Sequence, residues 1–319
     1  MGTRPPSRRW GALLGALATG AAALGVATAV GVAEPPAGAA TGQGGTIVAV
    51  GAENEYADVI AQIGGRYVKT TAILSNPNTD PHTFESSPAV AATVRQARLV
   101  VQNGVGYDGF MTTIEKASPS SSRQVIDVQQ LLGLPDSTPN PHLWYDPTTM
   151  PAVAKAIEGD LARFLPSHRA YFDQNLQVFV ASLAPYDQEL AKIKADFPNA
   201  PVATTEPVAD YLLEAAGVDN KTPFSFQAAL MNNTDPAPQD VTTQDALFNQ
   251  KQVKVFVYNQ QVTDSTTQNL VKLAKQNDIP IVGVYETMPT PGYHYQSWML
   301  AEADAVYGAL ANGTSASTL

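Results

Sequence analysis

The chain has 319 residues, which at roughly 100–200 residues per domain sets an expectation of about two domains, each with its own buried core. Apolar residues make up 44% and charged residues 15%, which excludes disorder throughout, and a net charge of −10 excludes nucleic acid and anionic lipid surfaces as partners. Cysteine is absent, which removes disulfides, thiolate metal sites, cysteine nucleophiles and lipid attachment through cysteine together.

Residues 1–40 read as an export segment. Arg4, Arg8 and Arg9 precede an apolar run from Gly11 to Ala33, and the small-residue stretch EPPAGAA ends it at Ala40. That order is the layout of a secretory signal. The pair Arg8–Arg9 loosely resembles a twin-arginine export signal. At about 1.5 Å per residue the run also reaches across a bilayer of about 30 Å, so an uncleaved anchor is the alternative. Either way the expected location is periplasmic or extracellular.

From Thr46 onward short β-rich runs alternate with helical ones. Strands are expected at Thr46–Gly51, Val68–Leu74, Leu99–Asn103 and Gln124–Val128, then at Pro201–Thr205, Lys254–Tyr258 and Ile281–Tyr285. The runs are continuously apolar rather than alternating, as in strands covered on both faces. Helices are expected at Glu55–Ile63, Pro88–Ala97, Pro207–Ala216 and Thr263–Gln276. This order predicts an α/β fold of two mostly parallel lobes.

Asp146 to Phe197 interrupts the rhythm with two helices and no strand. The second, from His168 to Phe197, would run about 45 Å and kink at Pro185, which has no N–H to donate. The expected organisation is an export segment (1–40), a first lobe (41–166), a long connecting helix (167–198) and a second lobe (199–319).

The four histidines are His82, His142, His168 and His294. His168 opens the long helix and reads as an exposed helical residue. His82, in NPNTDPHTFE, follows the second strand; His142, in NPHLWYDP, follows the fourth. Each comes directly after a proline, which stiffens the loop that carries it. Both loops leave the carboxyl ends of strands, where open α/β sheets place ligands. One reading is that each imidazole bonds a loop carbonyl; the other is that the pair serves a divalent transition metal. The second lobe offers carboxylates at matching places: Glu206 after PVATT and Glu286 after IVGVY. A glutamate at a helix start is also a favourable dipole partner. Taken jointly, two imidazoles and two carboxylates would close a mixed nitrogen and oxygen shell across a cleft.

The segments DPHTFE, NPHLWYDP, TTE leading into a helix, a strand followed by Glu286, and the loop NGVGYDGF occur in an order that resembles the cluster A-I metal-binding proteins. These are the extracytoplasmic solute-binding subunits of zinc and manganese ABC importers. The resemblance spans roughly Thr46 to Leu310. It implies two α/β lobes joined by a single long backbone helix, with metal between them on His82, His142, Glu206 and Glu286. Glu286 stands where the commoner pattern has Asp, and His294 is the competing fourth ligand. The stretch LLGLPDSTPN lacks the His- and acid-rich insertion of many zinc-type relatives, and the lipobox cysteine is missing.

The implied cargo is zinc or manganese, with ferrous iron also suited to imidazole and carboxylate donors. The implied partner is an ABC importer permease, and the chain is expected to act as a monomer without enzymatic activity. Two competing readings share the scaffold. One is a metal-dependent hydrolase with an open coordination position and Glu85 or Asp108 as base; the other is a surface adhesin.

Overall fold

A computed structural model of the protein describes residues 45–76, 84–262, 264–289 and 291–319. The expected export segment and His82 lie outside the described residues. Two four-stranded sheets, all pairs parallel, organise the chain. The first has the order β2-β1-β3-β4, from β1 (Ile47–Glu53), β2 (Val68–Leu74), β3 (Leu99–Gln102) and β4 (Gln124–Asp127). The second has the order β6-β5-β7-β8, from β5 (Pro201–Thr204), β6 (Asp219–Asn220), β7 (Val255–Asn259) and β8 (Ile281–Val284). β6 has only two residues, too short for an apolar run to announce it.

Each sheet reverses its winding beside its first strand, between β1 and β3 and between β5 and β7. Those are the places where an α/β sheet opens a crevice at its carboxyl edge. The residues that follow β1 and β3, and those that follow β5, β7 and β8, therefore line the carboxyl rim of their own sheet. The free edge of β8 is covered by the chain end: Gly283 N donates to Ala316 O at 2.9 Å and Ala316 N to Ile281 O at 2.8 Å. Covering an edge in this way blocks pairing with foreign strands.

Helix α1 (Asn54–Gly64) follows β1 without a loop, and α2 (Pro88–Gln96) starts under a Ser87 cap with Pro at its first turn. Helix α3 (Gly109–Ala117) and the single-turn α4 (Val128–Leu131) complete the first half. The connection is helical across α5 (Thr149–Phe164), α6 (Arg169–Ser182) and α7 (Ala184–Asp196). The kink expected at Pro185 lies at Leu183, the one residue between α6 and α7. Proline cannot donate to the turn before it, so the helical hydrogen bonding breaks there.

In the second half α8 (Asp210–Ala215) starts later than the expected Pro207–Ala216, which leaves Glu206 and Pro207 in a bend. Helices α9 (Phe224–Met231), α10 (Pro238–Asn249), α11 (Ser265–Gln276) and α12 (Tyr295–Asn312) follow. Residues 44–319 fall in one compact unit. Its main apolar cluster draws on both sheets and on the connecting helices, through Val101, Trp144, Phe172, Phe179, Val257, Val284 and Trp298. One continuous core of this kind resists independent motion of the two halves.

Candidate metal centre

His142 is fully buried, immediately ahead of a short 3-10 turn (Leu143–Tyr145). Its ring lies edge-on to Tyr107 and Trp144, with centroids 5.7 and 5.5 Å away. Asn140 fixes the ring. Its Oδ1 accepts from His142 N at 3.0 Å and stands 2.7 Å from Nδ1, while its Nδ2 donates to Pro207 O at 2.7 Å. With the amide nitrogen engaged as donor, Oδ1 is an acceptor and Nδ1 carries the hydrogen. The lone pair is then on Nε2, the atom that faces Glu286 Oε2 at 3.3 Å. The proline-stiffened NPH loop is thus a device for presenting one imidazole nitrogen.

Glu286 is two residues past β8 and fully buried. Oε2 accepts from Tyr107 OH at 2.9 Å and Oε1 from Asn259 Nδ2 at 2.6 Å. Asn259 Nδ2 also donates to Glu206 Oε2 at 3.0 Å, so one amide bridges two buried carboxylates. Burial, then the charge of Glu286, pushes the Tyr107 phenol well above its usual range, which keeps it a neutral donor. The backbone of the Glu286 turn is held by Gln261, whose Oε1 accepts from Glu286 N at 2.6 Å and from Thr287 N at 2.8 Å.

The NGVGYDGF loop holds Tyr107 and the His142 loop in place. Gly104, Val105 and Gly106 take positive φ in succession, and a side chain at Gly104 would meet Gln129 Cβ at 2.7 Å. Asp108 clamps the turn by accepting from Asn103 N at 2.6 Å and Gly104 N at 3.0 Å. Burial raises its carboxyl to about 6 against those hydrogen bonds. Asn103 Nδ2 donates to Pro141 O at 2.8 Å, and Tyr56 OH donates to Asn103 Oδ1 at 2.7 Å.

Three of the four expected ligands, His142, Glu206 and Glu286, therefore meet in one buried crevice; His82 is outside the described residues. Among the described residues no group of three or more His, Asp or Glu is arranged to hold a metal ion. Glu206 and Glu286 turn instead to Asn259. The other candidates are placed elsewhere. His294 caps α12 and pairs with Asp58 through Nδ1 at 2.7 Å, and His168 stacks on Tyr67 at 4.1 Å. Asp108 is committed to its turn, and Glu85 is exposed.

Two further buried carboxylates, Glu53 and Glu55, stand at the end of β1 and the start of α1. Burial raises both well above the usual carboxylate range, Asp108 and Glu55 adding to the shift of Glu53 and Glu286 to that of Glu55. Sequence reasoning passed over Asn140, Tyr107, Asn259 and Gln261 as participants. For Asn259 and Gln261 the available signal was a polar NQQ run directly after the apolar strand VFVY, on the rim already marked by Glu206 and Glu286.

Residues 50–309 match the family described as zinc-uptake complex component A, periplasmic. The manganese-binding lipoprotein MntA of Bacillus subtilis is 23% identical over 231 residues, 70% of this chain and 74% of that protein. The zinc-binding protein TroA of Treponema pallidum is 26% identical over 127 residues, 38% of this chain and 39% of its own. Among solved structures, TroA superposes with a TM-score of 0.72 at 18% identity, covering 84% of this chain and all of that one. ZnuA does so with 0.68 at 20%, covering 83% and all of its chain. These structural likenesses establish the two-lobed fold. With the family match extending over most of its length, the chain belongs to the zinc-uptake component A family, the zinc and manganese solute-binding proteins of ABC importers.

Proposed function

We propose that this protein captures a divalent transition metal, zinc or manganese, outside the cytoplasm and delivers it to the permease of an ABC importer. The observation that carries the reading is the approach of His142 Nε2 to Glu286 Oε2 at 3.3 Å in a buried crevice, with Glu206 tied to the same carboxylate through Asn259. A lone-pair nitrogen facing a carboxylate is a donor set that suits such a metal and suits calcium or magnesium poorly. We assign the ligands as His82, His142, Glu206 and Glu286, with the lobes 41–166 and 199–319 on either side and the chain acting as a monomer.

In the absence of metal the Asn259 amide offsets the negative charge of Glu206 and Glu286; a bound cation replaces it. Protein donors close the shell, because a carrier needs no reactive bound water. The relatives, a manganese-binding lipoprotein and a zinc-binding protein, favour transport over hydrolysis. Acidification releases the cargo, since protonated imidazoles cannot ligate. Isothermal titration of metal-stripped protein with zinc and with manganese tests the assignment. Wild type is expected to bind at one site and His142→Ala to lose most of that affinity. Undiminished binding by the variant would remove the site from this crevice.

A further inference from the structure

Helix α1 presents Asn54, Asp58 and Gln62 at a spacing of four, a single stripe along one face. All three reach the segment that follows Glu286 in the other half of the molecule. Asn54 Nδ2 donates to Met288 O at 2.7 Å, and Met288 N donates to Asn54 Oδ1 at 3.0 Å. Asp58 Oδ1 pairs with His294 Nδ1 at 2.7 Å and Oδ2 accepts from Tyr295 N at 2.9 Å. Gln62 and Gln296 exchange two amide hydrogen bonds, each 3.0 Å.

The rungs differ in burial. Asn54 is 5% exposed and Met288 2%, whereas His294 is exposed and Gln62 half-buried. Hydrogen bonds shielded from water hold a geometry that solvated ones do not. The buried rung is also the one nearest the site, two residues beyond Glu286. Gln261 holds the same turn from within its own half, through Glu286 N and Thr287 N. The turn that carries the Glu286 carboxylate is thus gripped from both sides: from the first half Tyr145 OH donates to Tyr285 O at 2.7 Å and Tyr107 OH to Glu286 Oε2 at 2.9 Å ahead of the turn, and Asn54 holds the backbone beyond it at Met288.

We propose that Asn54 is a positioning residue that latches the Glu286–Met288 turn across the crevice, and that parting of its two hydrogen bonds to Met288 admits metal release. This rests on the metal-carrier reading above. Asn54 touches no cargo; it acts by fixing where Glu286 stands. Loss of the latch leaves Met288 N–H and C=O unpaired only when the turn is closed, so the open turn is favoured and escape is faster. Capture, which begins from the open turn, changes little.

The test uses the full chain loaded with manganese or zinc and stopped-flow release into excess chelator. Asn54→Ala is expected to dissociate about 25-fold faster, the equivalent of about 2 kcal/mol at about 1.4 kcal/mol per tenfold for two buried hydrogen bonds, with the association rate within about twofold. Asn54→Leu, which keeps the branched shape and removes both bonds, guards against a failure of the alanine variant to fold and gives the same acceleration. Gln62→Ala, which removes the outermost rung, leaves the release rate at the wild-type value. Wild-type release from both Asn54 variants overturns the proposal, as does equal acceleration by Gln62→Ala, which would mean general loosening of the halves. A wild-type protein that retains neither metal overturns the carrier reading itself.

Discussion

Glu302 lies behind the strand end that carries Glu286, and its replacement by glutamine has a calculable consequence. The residue is on α12 and fully buried; Oε1 accepts from Trp298 Nε1 at 2.7 Å and from Tyr285 N at 3.3 Å. Those hydrogen bonds favour the charged form, yet burial outweighs them and raises the carboxyl from its ordinary 4.5 to about 8. The folded state therefore holds a proton that the unfolded chain releases above pH 4.5. Stability from this group is full below that pH and is lost progressively as pH rises to about 8. At about 1.4 kcal/mol per unit, the loss between pH 5 and pH 8 is about 3–4 kcal/mol.

Glutamine keeps the acceptor toward Trp298 and Tyr285 and cannot ionise. Urea unfolding of metal-free wild type and Glu302→Gln at pH 5, 6, 7 and 8 reads the effect directly. The two proteins are expected to be close at pH 5, with the variant gaining on wild type by about 3–4 kcal/mol at pH 8. Stability curves that stay parallel across this range would refute the argument, because they would place the ionisation of Glu302 at its ordinary value in the folded protein.

Two further outcomes follow from the geometry of the site. Asn140→Ala leaves His142 Nδ1 without its acceptor and frees the ring to turn; affinity for zinc or manganese is expected to fall about 10- to 100-fold by isothermal titration, with the fold unchanged by circular dichroism. Asn259→Ala strips Glu206 and Glu286 of their shared donor, so the metal-free protein should lose on the order of 3 kcal/mol of stability by urea unfolding, and saturating metal should restore most of it.

Much of the fold was legible in the sequence. Apolar runs such as LVVQ and VFVY read as strands covered on both faces, and their alternation with amphipathic stretches points to parallel α/β units. Pro185 announced the break in the connecting helix, since a missing donor acts locally wherever the chain goes. His142, Glu206 and Glu286 were visible because each follows a strand, and the carboxyl ends of the parallel strands in each sheet share that sheet's rim.

The hydrogen-bond partners were not legible. Asn259 joins Glu206 to Glu286 across 53 and 27 residues, Asn54 reaches Met288 across 234, and Asn140 settles which His142 nitrogen carries the hydrogen only because Pro207 O takes its amide. An asparagine in a loop is polar whether it caps a turn, faces water or orders a ligand, and local pattern does not separate these roles. The same holds for the buried acids. Glu53, Glu55 and Glu302 sit in segments whose charge reads as solvent-facing, and their protonation is decided by the packing around them. Periodicity and chain order thus determined which residues come to the crevice, because both are properties of neighbours along the chain. Tertiary structure alone decided which groups are desolvated and which atoms meet, because burial and hydrogen bonding depend on partners that sequence distance hides.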